Sequence, residues 1–435
     1  MNQKKIVFVI LFLFFLLDNL VVFAEAPEVE WEKTLGDDGV DISFSVVENP
    51  DGGFALACFL KPRGANRGDL YLVLTDSNGD LKQESLLEEK CTGSSIQQTP
   101  EGGYIICGTK SQLLVSEAMV LVKTDADGSV IWSRTYYDTG GYQARDIAAV
   151  SNGGYVATGI RWRGPYEIMQ DPEHQEPDAF LIRVDEQGDV LWNRTYGGLY
   201  DDRGFSVIET GDGGFLLAGS SREDESSLDK GFLVKTDSDG EVMWSKLYGG
   251  KEGQMFQSVC VTGDGGYAAT GFTLSFDAQG SDYYLVRVDE LGELVWSNHY
   301  GGSGDDEAFD FVSTTDGGFV LVGGSSVAMG SDRDVGVIRT DSSGEVLWEA
   351  AYGGGDHDIG YSIVLTDDNR YVIAGETRSF GSSTQIYLLR VNLVIPEAEQ
   401  ESNTFIPGFS LIALTIGLSL FIAITNHRKG FILYK

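Results

Sequence analysis

From Arg203 to Tyr248 the apolar positions fall in four short runs: RGFSVIET, GFLLAGSS, GFLVKTD and EVMWSKLY. Each alternates apolar with polar residues or is rich in β-formers, the pattern of a strand. Between the first two runs lies GDGGF, where Asp212 offers an Asx-type turn and the glycines accept positive φ. Between the last two lies Asp237-Ser-Asp-Gly240, a hairpin turn of ordinary length. The stretch therefore predicts four antiparallel strands joined by tight turns, and the same stretch recurs along the chain.

The turn before the second strand returns at Asp51, Glu101, Asn152, Asp212, Asp264, Asp316 and Asp368, with steps of 50, 51, 60, 52, 52 and 52 residues. The last copy, DDNRY, has Asn369 and Arg370 where the others carry two glycines. The closing run returns with Trp244, Trp296 and Trp348 spaced 52 residues apart. A fixed period of this length marks an array of small sheets, most simply propeller blades. No stretch of this region carries a capped 3.6-residue period, so it is expected to be all-β.

The two ends of the array complement each other. The last copy ends at QIYLLRVN without a Trp strand, whereas WEKTLGDDG from Trp31 matches WSKLYGG from Trp244. The N-terminal strand can therefore supply the missing fourth strand. This predicts a seven-bladed β-propeller of four-stranded blades, closed by the N-terminal strand and free of the open edges that invite aggregation.

Outside the array, Lys4 and Lys5 precede the apolar run IVFVILFLFFLL, and residues 1–26 are expected to be a signal peptide. Residues 27–394 form the propeller and residues 395–404 an acidic linker. FIPGFSLIALTIGLSLFIAIT, residues 405–425, is long enough for a transmembrane helix, and the basic tail 426–435 is expected to stay in the cytoplasm. These segments predict export and a single-pass anchor with the N-terminal domain at the cell surface.

Composition narrows the partners. Sixty-six acidic against 31 basic residues leave a net charge of −35, which disfavours nucleic acid. Aromatic residues at 11% and hydrophobic residues at 42% suffice for a sizeable core.

Candidate chemistry lies in the loops. In a propeller the loops between strands two and three share one face with those between blades. That face would gather Asp37, Asp38, Asp41, Asp201, Asp202, Asp305, Asp306, Asp356 and Asp358. Converging carboxylates suit calcium, the one cofactor this pattern admits, with Asp201, Asp202, Asp305, Asp306, Asp356 and Asp358 as ligands. The same residues could instead tie down their loops by accepting backbone N–H groups. The 60-residue step places an insertion at residues 161–178, RWRGPYEIMQDPEHQEPD. Its Arg161, Trp162, Arg163, Tyr166 and His174 form the candidate binding site, because Trp, Tyr and Arg most often anchor partners. A Ser or Asp recurs in each first strand, at Ser45, Ser95, Asp146, Ser206, Ser258, Asp310 and Ser362, which implies a repeated structural hydrogen bond. Cys91 and Cys107 occupy adjacent strands of one blade and are expected to form a disulfide, with Cys58 and Cys260 as buried thiols.

The repeats TYGGLYDDRGFSVIETGDGGFLLAG and FLVKTDSDGEVMW resemble the propeller repeats of secreted archaeal and bacterial surface proteins, over roughly Trp31 to Asn392. The segment Ile406–Phe409, IPGF, with the following apolar span is similar to the PGF-type C-terminal sorting signal of archaeal surface proteins. That resemblance implies removal of the tail by a sortase-like enzyme and its replacement by a lipid. The hairpin is also similar to quinoprotein repeats but lacks their Thr, which argues against a quinone. The expected function is a membrane-tethered extracellular propeller that binds a protein, glycan or surface-layer partner without catalysis. The alternative is an exported hydrolase or lyase working through carboxylates on the loop face.

Overall fold

The computed structural model describes residues 27–392 apart from 112–116, 139, 164–175, 277 and 327–331. Twenty-eight strands form seven four-stranded antiparallel sheets. In six of them the strands follow chain order from the inside outward, giving blades 1 to 6 at residues 40–88, 91–136, 142–196, 202–248, 254–300 and 307–352. Blade 7 takes three strands from residues 358–391 and its outermost from Val29–Leu35. That strand pairs antiparallel with Gln385–Val391, from Val29 opposite Val391 to Leu35 opposite Ile386. The expected closure by the N-terminal strand is therefore what the ring uses. The signal segment, linker, apolar span and basic tail expected from the sequence lie outside the described residues. Among the described residues no helix is long and apolar enough to cross a membrane.

The core lies between blades rather than at the centre. Buried side chains form seven clusters, one per blade boundary: Leu72, Leu74 and Ile96 join blades 1 and 2, and Val46, Phe54 and Leu388 join blades 1 and 7. The middle strands are the most buried, as their continuous apolar runs require.

The recurring Trp and hairpin Gly are two halves of one contact. The outermost strand of each of several blades lays its Trp on the hairpin glycine of the next: Trp132 on Gly188, Trp192 on Gly240, Trp244 on Gly292 and Trp296 on Gly344. The Tyr four residues after each Trp donates to that same glycine's carbonyl, with Tyr196–Gly240 at 2.9 Å and Tyr248–Gly292 at 2.7 Å. In blade 1 the Trp position is Gln83, whose amide donates to Asp127 O instead at 2.8 Å.

Candidate functional site: the central channel and the loop face

Seven inner strands surround a central channel: Val40–Glu48, Cys91–Gln98, Tyr142–Ala149, Asp202–Glu209, Gln254–Val261, Glu307–Ser313 and Asp358–Leu365. Its cavity volume is about 1030 Å³. Every inner strand carries a one-residue register shift at the same place. A bulge inserts an unpaired residue and re-aims its neighbours. The unpaired residues are Phe44, Ser94, Arg145, Phe205, Gln257, Phe309 and Tyr361, and all line the channel.

The residue after each bulge is the recurring Ser or Asp, turned sideways toward the neighbouring blades. Asp146 accepts from Ser95 Oγ at 2.8 Å and Ser206 Oγ at 3.0 Å, one from each flanking blade. It also accepts the backbone N–H groups of Ile147 and Val207 at 2.8 and 2.9 Å. Asp310 repeats the arrangement with Ser258 Oγ at 2.9 Å, Phe311 N at 2.9 Å and Ile363 N at 3.0 Å. Burial raises the pKa of both carboxyls against these hydrogen bonds, to about 6 for Asp310. Both side chains are hemmed in by protein yet keep a partial opening to the channel, so water moderates that rise. The seven-fold Ser/Asp pattern thus stitches blade to blade, as its recurrence implied.

The bulged residues are not uniform around the ring. Phe309, Tyr361 and Phe44 of blades 6, 7 and 1 form a continuous aromatic wall, with ring centroids 5.1 and 5.4 Å apart. Across from them Arg145 of blade 3 lies over the ring of Phe205 of blade 4, 5.5 Å from its centroid. Sequence reasoning saw the Ser/Asp positions but not the residues just before them. Read down the seven copies, that preceding position is mostly aromatic and once Arg, which is the signal that could have found it.

On the loop face, Asp41, Asp202, Asp306 and Asp358 each lie within one residue of the start of an inner strand and are buried. Each accepts the backbone N–H of the residue four positions earlier: Asp37 at 2.8 Å, Gly198 at 2.6 Å, Gly302 at 3.0 Å and Gly354 at 2.8 Å. These carboxylates hold the interblade loops. Burial lifts Asp202 to about 6. Among the described residues, Oδ1 of Asp202 and Oδ1 of Asp358 accept no hydrogen bond. Asp201 pairs with Arg203 at 2.5 Å, whereas the backbone N–H groups of Asp305 and Asp356 donate to Ser326 Oγ at 2.7 Å and Ser379 Oγ at 3.0 Å. The structure thus puts Asp201 and Asp202, Asp305 and Asp306, and Asp356 and Asp358 at three different interblade connections. Among the described residues no group of three or more Asp, Glu, His or Cys is arranged to hold a metal ion.

The insertion begins at the end of the second strand of blade 3. Arg161 pairs with Asp138 at 2.7 Å, and Arg163 pairs with Asp178 while donating to Leu199 O at 2.8 Å. Trp162 is half-buried beside Glu117. Tyr166 and His174 lie outside the described residues.

The expected Cys91–Cys107 disulfide is corrected by the strand register. Cys91 stands opposite Lys110 and Cys107 opposite Ser95, so the two cysteines sit at different levels of the sheet. All four cysteines are free thiols, and burial pushes Cys91 up to about 12.

These features define a seven-bladed β-propeller with an open, chemically asymmetric central channel. No family model matches the chain. It is similar to the regulatory protein FlaEY of Caulobacter vibrioides, 23% identical over 286 residues, covering 59% of this chain and 29% of that protein. The chain thus spans under a third of the length of this curated relative. Among solved structures it is similar to a protein of unknown function from Dyadobacter fermentans, with a TM-score of 0.51 and 13% identity over 84% of this chain and 98% of that one. It is also similar to the Pan2 WD40 domain of Neurospora crassa, with a TM-score of 0.51 and 10% identity over 83% of this chain and 96% of that one. At these identities the likeness shows the fold alone.

Proposed function

We propose that this protein is an exported, membrane-tethered propeller that binds a protein, glycan or surface-layer partner at its loop face, without catalysis. The observation that carries the reading is the insertion that breaks the repeat on that face. Arg161 and Arg163 are pinned by Asp138 and Asp178, which fixes the base of the loop, and half-buried Trp162 lies between them. A base fixed by two ion pairs suits a loop that recognises a partner. The candidate anchors are Arg161, Trp162, Arg163, Tyr166 and His174.

Tethering rests on the sequence: the leader at residues 1–26, the apolar run at 405–425 and the basic tail at 426–435. The PGF-type motif at Ile406–Phe409 supports a surface protein of the archaeal kind whose anchor is processed. The strand Gln385–Val391 runs from the loop face toward the hairpin turns, so the chain leaves the propeller on the face opposite the insertion. Calcium belongs to the proposal only at the level of single interblade connections, at Asp201/Asp202, Asp305/Asp306 or Asp356/Asp358, where loop oxygens and water would have to complete its shell. The unpartnered buried oxygens of Asp202 and Asp358 support it.

The test is a binding screen of the full chain in detergent against glycans and cell-surface proteins, with and without calcium. A bound partner that is lost on replacing Arg161, Trp162 and Arg163 by Ala supports the reading. A partner that binds the triple variant unchanged rejects this loop as the site.

A further inference from the structure

The central channel offers recognition chemistry that the stitching of the blades does not use. Asp146 is the carboxylate adjacent to Arg145 in sequence, but its oxygens accept from Ser95, Ser206 and two backbone N–H groups. Glu117 attracts Arg145 electrostatically without forming an ion pair with it. Among the described residues no carboxylate forms an ion pair with Arg145, and its guanidinium lies over the face of Phe205. The guanidinium is open to the channel although protein surrounds it. An unpaired Arg facing the channel is primed for a carboxylate, which it can hold with two parallel N–H bonds.

The opposite wall supplies the second half of the site. Phe309, Tyr361 and Phe44 present ring faces and edges across three consecutive blades. Between wall and cation, Gln257, Thr92 and Gln97 bring polar groups to the lining. A purely aliphatic or aromatic acid would leave those groups unmatched, at a cost in desolvation. A hydroxylated body with an apolar C–H face satisfies both. The single unpaired cation, the nearby Asp146 and Asp310 and the net charge of −35 favour one negative charge per unit over a phosphate dianion. A cavity of about 1030 Å³ is large for a monosaccharide and accommodates a short oligomer.

We infer that the central channel binds an acidic saccharide, its carboxylate on Arg145 and a sugar face against the Phe309–Tyr361–Phe44 wall. This rests on the binding reading above but assigns a different site, so the two can fail separately.

Isothermal titration of the full chain in detergent with di- and trigalacturonate, and with the neutral galactose disaccharide, tests it. The galacturonates should bind at least about tenfold more tightly than the neutral sugar, and Arg145→Gln should abolish that preference. Phe309→Ala should weaken the acidic sugars about tenfold while leaving the preference for charge. Near-UV circular dichroism checks that each variant is folded. Should Arg145→Gln fail that check, Arg145→Lys takes its place and should lower the preference without removing it. Absence of galacturonate binding, equal affinity for acidic and neutral sugars, or an unchanged preference in the folded Arg145 variant overturns the inference. Loss of galacturonate binding in Trp162→Ala together with its retention in Arg145→Gln also overturns it, while upholding the loop-face site.

Discussion

The indole of Trp192 lies on Gly240 of the next blade so closely that a Cβ on that glycine would stand 2.9 Å from its Cζ3. Gly240 also has φ of +78°, a conformation that L residues adopt only with strain. Two demands meet at one position: the hairpin needs a left-handed residue, and the neighbouring Trp needs one without a side chain. Gly240→Ala should therefore destabilise the propeller by about 2–4 kcal/mol, combining backbone strain with overpacking. Chemical denaturation followed by Trp fluorescence reads this out. An unchanged midpoint would show that the clasp is slack.

An effect of similar size is expected at the channel. Asp146→Ala removes the acceptor shared by Ser95 and Ser206 and strands the N–H groups of Ile147 and Val207. Leaving buried donors unpaired costs about 1–3 kcal/mol each, so the variant should lose on the order of 3 kcal/mol. Ser95→Ala removes one donor and should lose about 1 kcal/mol. If the two variants unfold at the same denaturant concentration, Asp146 is not the hub described.

Asp310 predicts a pH dependence of definite sign. Its folded pKa is raised from 3.8 to about 6, so between those values the folded protein holds a proton that the unfolded chain has released. Its contribution therefore favours folding at the acid end and is lost as pH rises from about 4 to about 6. Asp212 and Asp316, lowered to about 2, act in the opposite sense below pH 4. Asp310→Asn should flatten the stability profile between pH 4 and 6 relative to wild type, measured by denaturation at stepped pH. The partial opening of the channel to water limits the size of the change. A parallel profile for the variant would exclude Asp310 as its source.

Much of this architecture was legible in the chain because turns and strands repeat at a nearly constant interval. The match of Trp31 to Trp244 marks the closing strand in the sequence itself. The channel lining was not legible because a bulge breaks the alternation from which facing is read. A strict two-residue period does not foresee that Phe44 and Ser45, or Arg145 and Asp146, take up separate tasks. The disulfide expectation failed for a related reason. Adjacency of two strands does not set their register, and here Cys107 faces Ser95 rather than Cys91. The hydrogen bonds of the loop-face aspartates to backbone N–H groups depend on loop conformations that spacing does not encode.

Ring closure by the N-terminal strand gives a further prediction. Tyr387 donates to Glu32 at 2.8 Å, Arg370 pairs with Glu30 at 2.6 Å, and Trp31 packs 6.0 Å from Phe54 of blade 1. Deleting residues 28–36 from the full chain would expose the edge of Gln385–Val391. The variant should self-associate, because an unpaired strand edge recruits another chain. Light scattering after size exclusion distinguishes this from a monomer that stays closed.

The central claim is that the propeller stands at the cell surface as a binding module. The direct measurement is protease shaving of intact cells that produce the full chain, followed with antibodies to the propeller and to residues 426–435. The account expects the propeller epitope to be lost from intact cells. Any tail that escapes processing should be digested only after the cells are permeabilised. A propeller that resists protease until the membrane is opened would contradict it.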